Sequence, residues 1–173
     1  DLPSHKEIRM DNCLVIQPRQ NGQVLGLCWA SASRTIIRQQ TGNRTIDAWQ
    51  IANETGITPG TGVGIDVSRH IMINHGCTIQ YQDVSRPAQN YTEVMHNVNN
   101  QYPIYMECVN LSQGVGHAVT LTGYDNSGNQ QGLQYFDGAE NAFKTTTYSG
   151  SNTTISSFGT SYRWDRSILI PLS

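Results

Sequence analysis

Residues 23–31 read QVLGLCWAS. Here Cys28 stands between a glycine-bearing loop and a tryptophan, at the point where helical spacing begins. Trp29, Ala32, Ile36 and Ile37 fall on one face and Gly42 supplies a stop, so the pattern predicts a helix over 28–39. A thiol in the first turn of a helix lies among backbone N–H groups that lack an intrahelical acceptor, at the positive end of the dipole. Both favour an anion, and hence a thiolate nucleophile. Trp29 and Ala30 can turn into the core while the sulfur stays at the edge, and Gly26 lets the preceding loop approach closely. The same position suits a cysteine that only fills space. A catalytic reading therefore needs an imidazole and an orienting acid elsewhere in the chain.

Outward from that stretch, 173 residues suffice for one domain over 1–173 with a real core. Charged residues are only 14% of the chain, and just two of the eleven basic residues are lysines, Lys6 and Lys144. A net charge of -2 gives no electrostatic footprint for nucleic acid or an anionic membrane. No apolar run reaches membrane-spanning length. The opening at Asp1, without methionine or apolar leader, is expected of a mature form or an excised domain. Polar, lysine-poor composition and five Asn-x-Ser/Thr triplets, at Asn43, Asn53, Asn90, Asn110 and Asn152, lean towards secretion. No cofactor or metal is expected: GTGVG (60–64) lacks the lysine and preceding strand of a phosphate loop, and no cysteine–histidine spacing suits zinc.

The order of elements is helices first, strands afterwards. Helices are expected over 46–54, 66–74 and 90–98, the last opened by Asn90 with Glu93 in a capping-box pattern. CTIQYQ (77–82) alternates as a strand. YPIYMECV, HAVTLTGY, LQYFDG, NAFKTTTYS and YRWDRSILI follow as β runs separated by turn residues, and 149–161 reads as a long hairpin loop. The class is α+β: N-terminal helices packed on a C-terminal antiparallel sheet.

Of five histidines, His5 falls in a tail, and His70, His75 and His96 lie on or beside helices among polar neighbours. His117 differs, because it stands at a strand end after a glycine-bearing turn. HAVTLTGY and GLQYFDG flank DNSGNQ, a strong turn signal. A hairpin centred on Ser127 sets His117 opposite Asp137, Leu121 opposite Leu133 and Tyr124 opposite Gln130. Opposed residues share a face, so Asp137 can hold the ring of His117 at the rim of an apolar surface. A one-residue slip would separate the two. For an oxyanion, the Cys28 N–H is one donor, and the nearest upstream carboxamide is Gln23, with Gln20 behind it.

QVLGLCWAS, GHAVTLTGYD and FDG together resemble the papain-like cysteine peptidases, in that family's chain order of Cys, His and Asp. The resemblance is specific over 17–38 and 114–138. It implies a papain-like fold, with Cys28 as nucleophile, His117 as general base and acid, Asp137 as orienter and Gln23 as oxyanion donor. It implies a polypeptide substrate and a monomer without cofactor. The compact length and the Asp are most like bacterial branches, bacteriocin-leader peptidase domains and secreted effector proteases. Gln23 lies five residues before the cysteine where the family more often has six. The signature glycine and second cysteine of the lysosomal cathepsin type are absent.

Three other readings share these residues. A glutamine deamidase or transglutaminase uses the same triad, a peptidoglycan amide hydrolase is built on compact Cys-His domains, and a non-catalytic binding module would keep Cys-Trp as core. Cys77 and Cys108 both fall in expected strands, where they form a disulfide or, together with Cys13, remain reduced.

Overall fold

A computed structural model describes residues 1–45, 47–60, 63–78 and 80–172. After strand β1 (His5–Glu7), a small hairpin of β2 (Arg19–Gln20) and β3 (Gln23–Val24) leads into helix α1 (Cys28–Thr41). Helices α2 (Ala48–Thr55) and α3 (Ile65–Asn74), strand β4 (Gln82–Val84) and helix α4 (Tyr91–Asn99) follow. The rest is strand: β5 (Ile104–Asn110), β6 (Val115–Asp125), β7 (Gly132–Asp137), β8 (Ala142–Thr147), β9 (Thr154–Ser157) and β10 (Thr160–Leu169). The fold is α+β, as the order of periodicities predicts.

The main sheet is antiparallel, in the order β4-β10-β5-β6-β7-β8, with β1 added to β6 and β9 to β10. The long strands β6 and β10 each serve two partners along one edge. On β6, β5 pairs residues 115–121 and β1 pairs 123–125. On β10, β9 pairs 160–163 and β4 pairs 167–169. Side chains of β8 reach back to β9, Lys144 Nζ donating to the Ser156 carbonyl and Thr146 Oγ1 to that of Thr154, so the sheet curls towards closure.

Strand alternation sorts the core into two clusters. One face gathers Ile104, Met106, Cys108, Val119, Leu121, Leu133, Tyr135 and Trp164 under α4 and the N-terminal segment. Tyr105, Ala118 and Ile168 turn to the other face, against Trp29, Ile36 and Ile37 of α1 and Ile51, Ile65 and Met72 of the next two helices. Fully burying a residue such as Ile36 or Ile37 is worth about 1.5–3 kcal/mol. Together they outweigh the roughly 1 kcal/mol lost where α1 lacks an N-terminal cap: Leu27, at that position, offers no side-chain hydrogen bond.

Helix boundaries follow local chemistry. Gly42 closes α1 in the left-handed region at φ 75. The helix expected over 46–54 is α2, which starts two residues later, at Ala48, behind a complete capping box of Asp47 and Gln50; residue 46 lies outside the described residues. Asn90 caps α4 by accepting from the Glu93 N–H, but the Glu93 carboxylate does not return the bond. It is instead held by Arg86 and the N–H groups of Gln89 and Leu172. The expected loop over 56–64 contains residues 61 and 62, which are outside the described residues.

Two strand readings are corrected. CTIQYQ is not one strand: Tyr81 turns back to bond the Thr78 carbonyl, and the strand begins only at Gln82; residue 79 lies outside the described residues. Its alternation arises because Cys77 and Tyr81 both enter the helical core. The supposed long loop over 149–161 holds β9 and a two-residue turn at Phe158 and Gly159, preceded by a short 3-10 turn at Gly150–Asn152. Its Ser/Thr richness masked the alternation in which Ile155 and Ser157 are buried and Thr154 and Ser156 are exposed.

Candidate active site

Cys28 is the first residue of α1 and is half-buried. The first intrahelical bond runs from the Ser31 N–H to the Leu27 carbonyl at 2.9 Å. The N–H groups of Cys28, Trp29 and Ala30 therefore have no acceptor within the helix, and no acidic residue occupies the first turn. The sulfur sits in a field suited to negative charge.

His117 is buried at the start of β6, with Nε2 2.9 Å from Asp137 Oδ1. Burial, the largest single influence, pulls the imidazole pKa down. Hydrogen bonds to Asp137 and Cys28, and the charges on both, outweigh it and push the pKa up from 6.5 to about 9. With Nε2 engaged by the carboxylate, Nδ1 is the nitrogen left to face the thiol. The Tyr162 ring lies 5.3 Å from that of His117, tilted by 38°.

Asp137 is fully buried, and both its oxygens are occupied. Oδ1 also accepts from the Ala139 N–H at 2.9 Å, and Oδ2 accepts from the Ser157 hydroxyl. Burial pushes this carboxyl upward, but the donors and the His117 charge prevail and hold it below its ordinary value of 3.8. The two shifts agree: the geometry favours an imidazolium beside a carboxylate. Ser157 is not legible from sequence, because it lies in the Ser/Thr-rich stretch that reads as loop but forms β9.

The structure brings His117 and Asp137 together by a register other than the expected one. The observed partners are Thr120 with Phe136 and Leu121 with Tyr135; beyond a bulge they are Gly123 with Gln134 and Tyr124 with Leu133. The hairpin centre is thus displaced from Ser127, and the pairings of Leu121 with Leu133 and Tyr124 with Gln130 do not occur. The bulge adds a residue that a symmetrical turn could not show.

Gln23 and Gln20 face each other across the β2–β3 hairpin, and both are exposed. Gln17 is different. It is buried, and its backbone N–H donates to the Gly138 carbonyl at 3.0 Å. The Leu25 N–H bonds the Pro18 carbonyl at 2.9 Å, pinching off residues 19–24 as a hairpin. With those six residues looped out, Gln17 lies close before Cys28 along the remaining path. Counting back along the chain from Cys28 reaches Gln23 and Gln20 before Gln17, because the NG turn at 21–22 inserts a hairpin into the path.

Gly138 knits these parts together. A Cβ there would meet the Ser31 hydroxyl and come within 2.9 Å of the Val15 carbonyl, so only glycine lets α1, the Gln17 segment and the Asp137 turn close on one another.

The remaining candidates lie elsewhere. His5, His70 and His96 are exposed, and His75 pairs with Glu54 at 2.7 Å. Cys13, Cys77 and Cys108 are free and buried. Cys77 belongs to the helical core and Cys108 to the opposite face of the sheet, so the disulfide is not formed. Burial pushes the Cys77 thiol up to about 12 and raises Cys108 well above 9.0, which makes both inert as nucleophiles. Among the described residues no group of three or more His, Cys, Asp or Glu is placed to hold a metal ion.

A helix-start thiol beside a carboxylate-held imidazole is a cysteine-hydrolase geometry, and the comparison with known families agrees. The chain matches the model of the Peptidase_C39 like family over residues 16–166, most of its length, and belongs to that family. It is a cysteine peptidase, a hydrolase, and its α+β architecture is consistent with a papain-like fold. No curated protein matches the chain.

Proposed function

We propose that this chain is an endopeptidase whose catalytic triad is Cys28, His117 and Asp137. The observation that carries the reading is the His117–Asp137 hydrogen bond, on an imidazole whose pKa is raised in part by the nearby Cys28. The Cys28 thiolate attacks the scissile carbonyl carbon and the carbonyl electrons move to oxygen. The imidazolium of His117 then gives its proton to the leaving amine, the C–N bond breaks, and a thioester remains on Cys28. Neutral His117 takes a proton from water, the resulting hydroxide attacks the thioester, and the acid product leaves with the thiolate restored. Asp137 keeps the ring in one orientation and stabilises its cation throughout.

For the oxyanion we assign the Cys28 N–H and the Gln17 carboxamide, supported by the burial of Gln17 beside the Asp137 turn, where its N–H donates to the Gly138 carbonyl. Gln23 and Gln20, exposed on their hairpin, are the less suitable donors.

The substrate is a polypeptide, and the enzyme acts as a secreted monomer. Its lysine-poor composition and Asn-x-Ser/Thr triplets support secretion. The test is digestion of an unbiased peptide library with wild type and Cys28→Ala in parallel. Backbone cleavage by wild type and none by the variant is expected. Ammonia release from glutamine side chains without backbone cleavage would replace this reading with a deamidase.

A further inference from the structure

Two hairpin tips beside His117 carry large apolar side chains in solvent. Leu111 is 68% exposed and Val115 46% exposed at the β5–β6 tip, and Phe158 is 61% exposed at the β9–β10 tip. These tips are neighbours, because β10 lies between β9 and β5 and Asn110 Nδ2 donates to the Ser161 carbonyl at 3.0 Å. Val115 precedes His117 by two residues and so shares its face of β6. Phe158 directly follows Ser157, the residue that holds Asp137.

Phe158 is expensive in this place. The two-residue turn puts it at φ 48 and Gly159 at φ 76. That geometry favours Asn or Asp at the first position, and a bulky aromatic there is an outlier. A side chain so exposed returns little core burial for that strain. Strain and exposure together at the rim of a site point to a ligand contact.

The chemistry fixes which part of the ligand. In the proposed mechanism His117 protonates the leaving amine, so the side of the cleft beyond His117 borders the residues C-terminal to the scissile bond. The oxyanion donors border the acyl part. Resting on that reading, we infer that Leu111, Val115 and Phe158 form a recognition surface for large apolar residues at the first two positions on the leaving side of the substrate.

The experiment is a peptide-library digest in which the new N-termini are sequenced, with wild type and the triple variant Leu111→Ser, Val115→Ser and Phe158→Asn. Asn suits the turn, so the variant keeps its hairpin. Wild-type products are expected to begin with an excess of Leu, Ile, Phe, Met or Tyr at either of their first two positions. For peptide pairs differing only in Phe against Ala there, the ratio of kcat/KM is expected to fall about tenfold in the variant. No apolar excess with wild type, or a ratio unchanged in the variant, would overturn the inference while leaving the triad intact. Equal cleavage by Cys28→Ala would bring down the triad and this surface with it.

Discussion

Asp137 meets His117 on the diagonal. Thr120 pairs with Phe136, and continuing that register sets Asp137 across from Val119, two residues beyond His117 on the same face. The side chains still bond at 2.9 Å. A displacement of two residues preserves the face, whereas one would have sent the carboxylate through the sheet. Nearer the turn the register is displaced by three, and the bulge between Leu121 and Gly123 is what restores the shared face.

The charge state of that pair sets a pH dependence of stability. His117 has a folded pKa raised from 6.5 to about 9, so its contribution is complete below 6.5 and is lost as pH rises through about 9. Over that window the native state holds a proton that the unfolded chain has released, and stability falls by at most about 1.4 kcal/mol per pH unit. Asp137 works in the opposite sense: its contribution is present above 3.8 and is lost as pH drops through its lowered folded value. Denaturant titrations at pH 6.5 and about 9 should show the alkaline loss in wild type and a smaller one in Asp137→Asn.

Cys28→Ala should abolish peptide hydrolysis with the fold retained by circular dichroism, since Cys28 is only half-buried and caps nothing. His117→Ala should do nearly the same, and Asp137→Ala should lose less. Residual turnover by Cys28→Ala would remove the nucleophile from the mechanism.

Gln17→Ala should lower kcat by about 10²–10³ with KM little changed, the magnitude for loss of an oxyanion donor. Gln23→Ala should leave kcat where it is. Steady-state kinetics on one peptide decides between them, and the reverse pattern would return the role to Gln23.

Ser157→Ala removes one donor from a fully buried carboxylate. A stability loss of about 1–3 kcal/mol is expected, with kcat reduced between about tenfold and about 100-fold by misorientation of the dyad. Because Asp137 then loses part of what lowers its pKa, the acid limb of the rate profile should move to higher pH. Ser157→Thr, which keeps the hydroxyl, should restore much of that limb; failure to do so would reduce Ser157 to a packing residue.

Gly138→Ala should destabilise by about 1–3 kcal/mol through overpacking. Its Cβ would press on Ser31 and the Val15 carbonyl at the joint between α1 and the Asp137 turn. Thermal melts measure the loss, and activity should fall more than partial unfolding alone explains, because the joint ties α1, which carries Cys28, to the turn that follows Asp137.

The sequence by itself determined what depends on neighbours along the chain. Helical spacing and the Gly42 stop located α1 and put Cys28 at its start, and period-two alternation marked β5, β6, β7, β8 and β10 as strands. The turn signal between them put His117 and Asp137 on adjacent strands. Tertiary structure decided what depends on contacts between distant segments. It looped out the β2–β3 hairpin and so brought Gln17, not Gln23, into a buried position, and it turned a Ser/Thr-rich stretch into β9 with Ser157 on Asp137. It also separated Cys77 from Cys108 by a sheet. The physical reason is range: propensity and periodicity act over a few residues, whereas a bulge, a pinched loop or a buried hydroxyl exists only once the segments have packed.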